Sequence, residues 1–520
     1  MPNYDLKVMV GNEPLDFNSV AVLYRINQAP GVSITLNLLH SDTKLAEIQG
    51  RCMPGAKVNM TLAGKPLFSG SVVRWRCDFS GESNTVVVEA AHDLQKLKAT
   101  YRSQLFKPNA TDKDILTDIF KTHDIKDVTI EGMTLAHEQM VQFNCSDWRF
   151  MRARLNANGV LLVPTPTGVS ILSPPASPGA EITKISRKEA TQPAAIVYAN
   201  NQLASGIEVS GWDIDAQAMN TPDKVNAVVL GEGGYDNRKV KALNNLVWQQ
   251  GYSRALSFDE QRLFAQGRRL MNQLTAVCAT LTVPGISVMV GQYVKLAEYG
   301  NVEGASFITG VKHVFNTSQW LTTLEIGHDL FTGMNDELVP PAPGMHIGIV
   351  AENTDGPDAH HALNITLPAL LGVGKTLKAR LSVPFASKES GFNFYPQKGD
   401  EVVVGFFEDD PRFPVIVGAM HNPKNKAPTA ELDKGIGMVL KTGSLTQRLV
   451  LHPESGVLLE EKDGAKTSQL SLKAGVATLE TSDDVKIDAG QNMQLDAGQK
   501  STLTGNAGVE ITGPNIALNK

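Results

Sequence analysis

Four places in the chain hold residue types at a spacing that could do chemistry. "ALLGVGKT", Ala369–Thr376, fits the permissive form of a phosphate-binding loop: a small residue, four of any kind, then Gly-Lys-Thr. Such a loop needs a strand before it and a helix after it, whose first N–H groups hold the phosphate. Here Pro368 precedes the stretch, and Leu377, Ala379, Leu381 and Val383 alternate with Lys378, Arg380 and Ser382 after it. That is strand period ended by Pro384, so the stretch reads as a loop between two strands and not as a nucleotide site. His360 and His361 with Asp355 and Asp358 are the densest potential metal ligands. No further ligand arrives at metal-site spacing, and they read as a polar hairpin loop. Asp409 and Asp410 suggest a carboxylate pair for glycan cleavage, but adjacent turn residues diverge, and Asp-Asp-Pro is turn chemistry. Cys145 with His92 or His137 carries no local signature of a thiol nucleophile. The expectation is a protein without catalytic, cofactor-binding or metal-ligating residues, and not an enzyme.

The elements that position these residues are mostly β. At 520 residues the chain has length for about three domains, with 42% hydrophobic and 20% charged residues. A formal net charge of −6 provides no field for nucleic acid or an anionic membrane. No secretory leader and no run of 18 apolar residues is visible, so the expectation is a chain made in the cytoplasm without a spanning helix. Cys52, Cys77, Cys145 and Cys278 lack CxxC spacing and read as buried hydrophobes. "KVNMTLAGKPLFSG" predicts strand, Gly-Lys-Pro turn, strand. Three helices stand out. One is capped by Thr111 and Asp114 and buries Ile115, Leu116, Ile119 and Phe120. A second starts at Ser146, buries Phe150, Met151 and Leu155, and stops at Gly159. The third carries a box from Ser257 to Glu260 and a stripe of Leu263, Phe264 and Leu270.

A Pro-rich joint at 338–350 and a break at 422–435 divide the chain. No aromatic residue of the Phe, Trp or Tyr kind follows Phe413. From Asp484 the tail repeats every eight residues: "DVKIDAGQ", "NMQLDAGQ", "KSTLTGNA", "GVEITGPN". The expected core of this repeat is Val485, Ile487, Met493, Leu495, Leu503, Val509 and Ile511. Each octad predicts a short strand with one apolar face and a turn at a small residue. Two apolar side chains per octad cannot bury themselves in one chain, whereas three copies wound about an axis leave no lateral edge. A disordered tail would not need Val and Ile in register.

The middle block, "FYPQKGDEVVVGFFEDDPRFPVIVGAMHNPKNKAP", resembles the OB-fold domain of the VgrG and phage tail-spike family. Tyr395, Pro396, Gly399, Asp400, Glu401 and Val402 match the family's run into a barrel strand. Asp409, Asp410, Pro411, Arg412, Pro414, Val415 and Gly418 match its closing turn. "CSDWRFMRARLNANGVLLVPTPTGVSIL" looks like the hub segment in which Ser-Asp-Trp opens a helix before a β-hairpin. The resemblance implies a mainly β protein: a tail-hub-like region at 1–340 with two barrel-like subdomains plus helical insertions, an OB-fold domain at 344–421, a linker at 422–435, and an octad-repeat, triple-stranded β-helix needle at 436–520, formed by a homotrimer.

It further implies the central spike of a contractile injection system, type VI or phage-tail-like. Such a spike joins inner tube and baseplate proteins to a needle that punctures an envelope, and it can carry cargo effectors. It would be ejected on contraction, with no stable membrane insertion before firing. The spacing leaves no room for a muramidase between collar and needle, and the last histidine, His452, lies too early for a tip metal site. A PAAR-type cap is expected on Ile516, Ala517, Leu518, Asn519 and Lys520, with no fused effector. The alternative is a glycan-binding or cell-wall-hydrolysing module on a trimeric β-stalk.

Overall fold

A computed structural model describes residues 4–39, 42–79, 83–174, 182–192, 194–201, 203–220, 224–225, 228–327, 337–352, 358–370, 375–428 and 434–517. The chain divides into two units, Met1–Met420 and His421–Lys520.

The first unit is built on period-two strands. Ser19–Arg25 and Ser83–His92 alternate buried and half-buried positions along their whole length. Their inward residues, Val20, Val22, Tyr24, Val86 and Val88, form the hub core with Val311, Phe315 and Leu324. The ladder between Gly304–Asn316 and Ser19–Arg25 joins the early and late hub strands, so among the described residues they form one 13-stranded hydrogen-bonded sheet. The turn between Lys57–Leu62 and Lys65–Phe79 falls at Ala63-Gly64, both at positive φ, one residue before the expected Gly-Lys-Pro.

The helices stand where their caps predict. Asp112–Thr122 has Thr111 and Asp114 in a reciprocal capping box and buries Ile115, Leu116, Ile119 and Phe120. Asp147–Asn158 is capped by the Ser146 hydroxyl and ends at Gly159, which is left-handed at φ 65°. A side chain at Gly159 would also lie 2.9 Å from the backbone N of Gly267, because Phe258–Leu274 crosses there. In that last helix Ser257 caps Glu260 N, but no reciprocal box forms: the Glu260 carboxylate is drawn away to Arg412. Leu263 is only half-buried, while Phe264 and Leu270 are core.

Residues His346–Ala419 close a five-stranded barrel, in the order His346–Val350, Ala362–Thr366, Leu377–Leu381, Pro414–Ala419, Glu401–Phe406. Its interior is Val350, Leu363, Ile365, Leu377, Ala379, Val402, Val404 and Ile416. Leu105, Val141 and Phe143 of the hub enter the same core, so collar and hub share apolar packing.

The second unit opens with an antiparallel meander of five strands, Ile436–Thr442, Leu445–His452, Gly456–Asp463, Lys466–Lys473 and Val476–Thr481. Tight turns at Gly443, Gly464 and Ala474-Gly475 take positive φ. No strand or helix is formed over 482–517. The octad strands expected there are therefore absent from the single chain, which has no partner strand to satisfy them. Among the described residues no helix is long and apolar enough to cross a membrane.

Candidate functional site

Where hub and collar meet, a chain of buried charges connects them. The barrel strand Glu401–Phe406 runs out into a turn in which Glu408 and Asp409 are left-handed, at φ 51° and 57°. Asp410 then turns inward and accepts from the Arg412 backbone N–H at 3.0 Å, an Asx turn that sets up the return strand. Its buried carboxylate also accepts from Arg412 Nη2 at 2.8 Å and from Arg254 Nη1 of the hub at 2.7 Å. Arg412 Nη1 donates to Glu260 Oε1 at 2.6 Å, and Glu260 lies 3.7 Å from Arg154 Nη2. Arg154 holds Asp112 in a two-pronged grip at 2.7 and 2.9 Å and donates to the Leu338 carbonyl at 2.6 Å. His137 and Asn158 complete the Asp112 shell at 2.9 and 2.8 Å.

These charges hold because each has a partner. Burial pushes the Asp410 carboxyl up, and the Arg412 guanidinium beside it, with Arg254 behind, outweighs that and keeps it at about 2. Burial opposes ionisation of Glu260 too, and Arg412 and Arg154 hold it below the usual carboxylate range. Asp112 is likewise held low, by Arg154 and His137 against burial. Gln139 adds an uncharged tie, donating to the Arg412 carbonyl at 2.5 Å and accepting from Lys378 N at 3.1 Å. Sequence reasoning read Asp409-Asp410-Pro411 as a turn but missed this network. Its signal was three arginines, Arg154, Arg254 and Arg412, on elements otherwise destined for the interior.

The other chemical candidates are not brought together. Asp409 is exposed and Asp410 buried, so the pair diverges. His360 Nε2 meets Asp215 Oδ1 at 3.1 Å, whereas His361 Nδ1 meets Tyr395 Oη at 3.1 Å. Asp355 lies outside the described residues, and no group of three potential ligands occurs among those described. Burial pushes the Cys145 thiol up to about 11, which disfavours the thiolate a nucleophile needs. His92 Nδ1 accepts from Leu94 N at 3.2 Å, and His137 is committed to Asp112. Of "ALLGVGKT", residues 371–374 lie outside the described residues. Lys375 Nζ donates to the Leu105 carbonyl at 2.5 Å, and the next element is the strand Leu377–Leu381, not a helix.

The tail presents an uncovered apolar face. Register across the meander aligns Ile436, Leu451, Val457, Leu472 and Ala477 in one row. The next row is Met438, Leu449, Leu459, Leu470 and Leu479. Two ladder steps separate the rows, so both lie on one face. Ile436, Leu459 and Leu479 are more than half exposed, at 74%, 56% and 58%. The opposite face carries the Arg448–Glu460 ion pair with Val450 and Leu458. Beyond it Val485, Ile487, Met493, Leu495, Leu503, Val509 and Ile511 are all exposed, as are Ile516 and Ala517. Leu518, Asn519 and Lys520 lie outside the described residues.

Fold and joint together define a β-rich hub carrying a closed injector collar, and comparison with known proteins agrees. The family model described as the type VI secretion system/phage-baseplate injector OB domain matches residues 346–421. The model described as the Alg8 N-terminal domain matches residues 7–317. The chain belongs to the family of the Alg8 N-terminal domain, whose model covers more than half of it, and it carries a collar of the injector OB type, in keeping with its resemblance to VgrG and phage tail-spike proteins. Its fold is similar to that of the half-lidded Francisella PdpA–VgrG complex, with a TM-score of 0.58 at 10% identity over 92% of this chain and 87% of that one. It is also similar to a component of the Escherichia coli type VI secretion system that is itself described as resembling T4 bacteriophage tail proteins. That match has a TM-score of 0.53 at 14% identity, over 80% of this chain and all of the other. No curated protein sequence matches the chain.

Proposed function

We propose that the chain is the central spike of a contractile injection apparatus, acting as a homotrimer and without catalysis. The observation that carries this is the apolar face of the tail: two full rows on the meander, exposed except for half-buried Leu449 and Val457, followed by two exposed apolar positions in nearly every octad. Burial of each such side chain is worth about 2 kcal/mol, which one copy of the tail forgoes. Three copies facing a common axis recover it and give each octad strand a neighbour to bond.

In this reading the hub docks on the inner tube and baseplate, and the tail is the needle. The joint of Asp410, Arg412, Glu260 and Arg254 is the rigid link between hub and collar. Buried, multiply bonded charges tolerate only one register, which suits an element that must transmit thrust without slipping. A PAAR-type cap would cover Ile516 to Lys520, and the particle would leave the cell on contraction. The test is absolute mass by light scattering, with and without residues 436–520. Three times 56.1 kDa for the full chain, with trimer lost or weakened on truncation, is the expected result. A monomeric full chain would overturn the reading.

A further inference from the structure

Between the barrel strands Leu377–Leu381 and Glu401–Phe406 the chain makes an excursion that buries almost nothing. Its hairpin, Ala386–Ser387 with Ser390–Gly391, is flanked by Phe385, Phe392, Phe394 and Tyr395, exposed by 51%, 46%, 51% and 39%. Phe392 and Phe394 stack at 5.5 Å between ring centroids, and Phe392 N donates to the Phe385 carbonyl at 3.0 Å, so the aromatics form one platform. Four exposed aromatic residues on one short loop are unusual for a surface that meets only water.

The same barrel has a second uncovered patch. On its outer wall Ile347 pairs with Val403, and Met345, the residue before that strand, comes level with Gly405 and Val415. A side chain at Gly405 would lie 3.5 Å from Met345 Sδ and 3.8 Å from Val415 Cγ1, so the wall there is flat and continuous. Met345, Ile347, Val417 and Met420 are exposed by 68%, 43%, 46% and 40%. Glu401 is the one charged side chain along these wall strands that shares this face with Ile349 and Val403. Both patches are open in the single chain, so a hairpin does not cover its own wall.

We infer that the aromatic hairpin of one protomer lies on the Met345–Val403–Val417 wall of the next. This deepens the trimeric reading above and rests on it. The partner is a second copy because the two patches match in chemistry and shape, an aromatic ridge and a flat aliphatic strip, on one domain. The wall lacks the polar groups a glycan needs and the basic ones a nucleic acid needs. Area decides the geometry. Four half-exposed aromatics present about 350 Å², and the wall offers a comparable amount. The sum, about 700 Å², is well under the roughly 1,200 Å² that a specific pair requires. Two copies would not stay together through this contact alone. A head-to-tail contact between unlike patches closes into a ring when each protomer gives one hairpin and receives one. In such a ring the tail supplies the remaining affinity.

The test is cross-linking in the full chain. Phe392→Cys and Val417→Cys are introduced singly and together, with the partly exposed Cys77 and Cys278 replaced by Ser, and treated with a short bis-maleimide. The double variant should run as covalent dimer and trimer, and each single variant as monomer. Dimers from either single variant would mean like patches meet and would overturn the assignment. A trimer by light scattering without a covalent ladder would overturn the hairpin contact while leaving the trimer standing. A monomer by light scattering would overturn both. As a second readout, Phe392→Ser with Phe394→Ser changes only exposed residues, and should lower the trimer's thermal midpoint with the circular dichroism spectrum retained. An unchanged midpoint would count against the contact.

Discussion

Removing the guanidinium of Arg412 is the most direct perturbation of the joint between hub and collar. That group donates to Glu260 at 2.6 Å and to Asp410 at 2.8 Å, and all three side chains are buried. At an effective dielectric of about 20, unit charges about 4 Å apart attract by about 4 kcal/mol. Arg412→Ala leaves Asp410 with Arg254 at 2.7 Å, but leaves Glu260 with Arg154 only at 3.7 Å. Breaking one side of a buried pair costs about 3–5 kcal/mol, because the abandoned charge is not returned to water. Glu260→Ala should cost a similar amount. If the residues act as one unit, the double variant loses less than the sum, with a coupling of about 2 kcal/mol. The assay is the urea midpoint followed by tryptophan fluorescence, since all five tryptophans lie at or before Trp320, together with hydrogen exchange of amides 404–416. The defect of Arg412→Ala should also shrink as pH falls from 7 towards 4, where the stranded carboxyls can take up protons. Losses that add within about 0.5 kcal/mol would refute the argument that these charges form one link.

Three more perturbations have definite expected outcomes. His92 and His313 are buried, and burial pushes both down to about 4. The unfolded value near 6.5 is higher, so the unfolded state binds more protons between the two. Hub stability is therefore full above about pH 6.5 and falls as pH drops to 4, by up to about 3 kcal/mol per group. Thermal melts across that range should show the fall, and His313→Leu should flatten it. Leu495→Asp would set three carboxylates on the needle axis at a cost of several kcal/mol. Light scattering in dilute denaturant should show trimer lost, and an unchanged trimer would defeat the octad reading. Lys375 caps a carbonyl of the hub, so Mg-ATP should not raise the thermal midpoint, and Lys375→Ala should cost about 1 kcal/mol. Nucleotide stabilisation abolished by that substitution would restore the phosphate-loop reading.

The local signals and the long-range ones differ in how much of them can be read in advance. Helix ends at Thr111, Ser146, Gly159 and Ser257 were legible because a cap is a contact between residues two or three apart. The strands around "ALLGVGKT" were legible from alternation, and the collar from the family resemblance that its Asp-Asp-Pro-Arg turn helps to carry. Glu260 shows the limit. By spacing it belongs to a capping box, yet it lies 152 residues from the arginine that takes its carboxylate. No local pattern encodes such a partner, because burial of both charges depends on two domains closing over them. The meander was not legible for a related reason: 436–520 reads as one octad-repeat needle, and only ladder register reveals that the strands over 436–481 bond within the chain.

Composition, periodicity and the absence of aromatics after Phe413 by themselves determined a β protein whose tail cannot form a core alone, since two apolar residues per eight bury nothing without a neighbour. Only the tertiary structure decided which charges lock hub to collar, which aromatics stay outside, and which apolar rows lie on one face. Each of these depends on where distant segments are placed, and that is set by the whole packed chain.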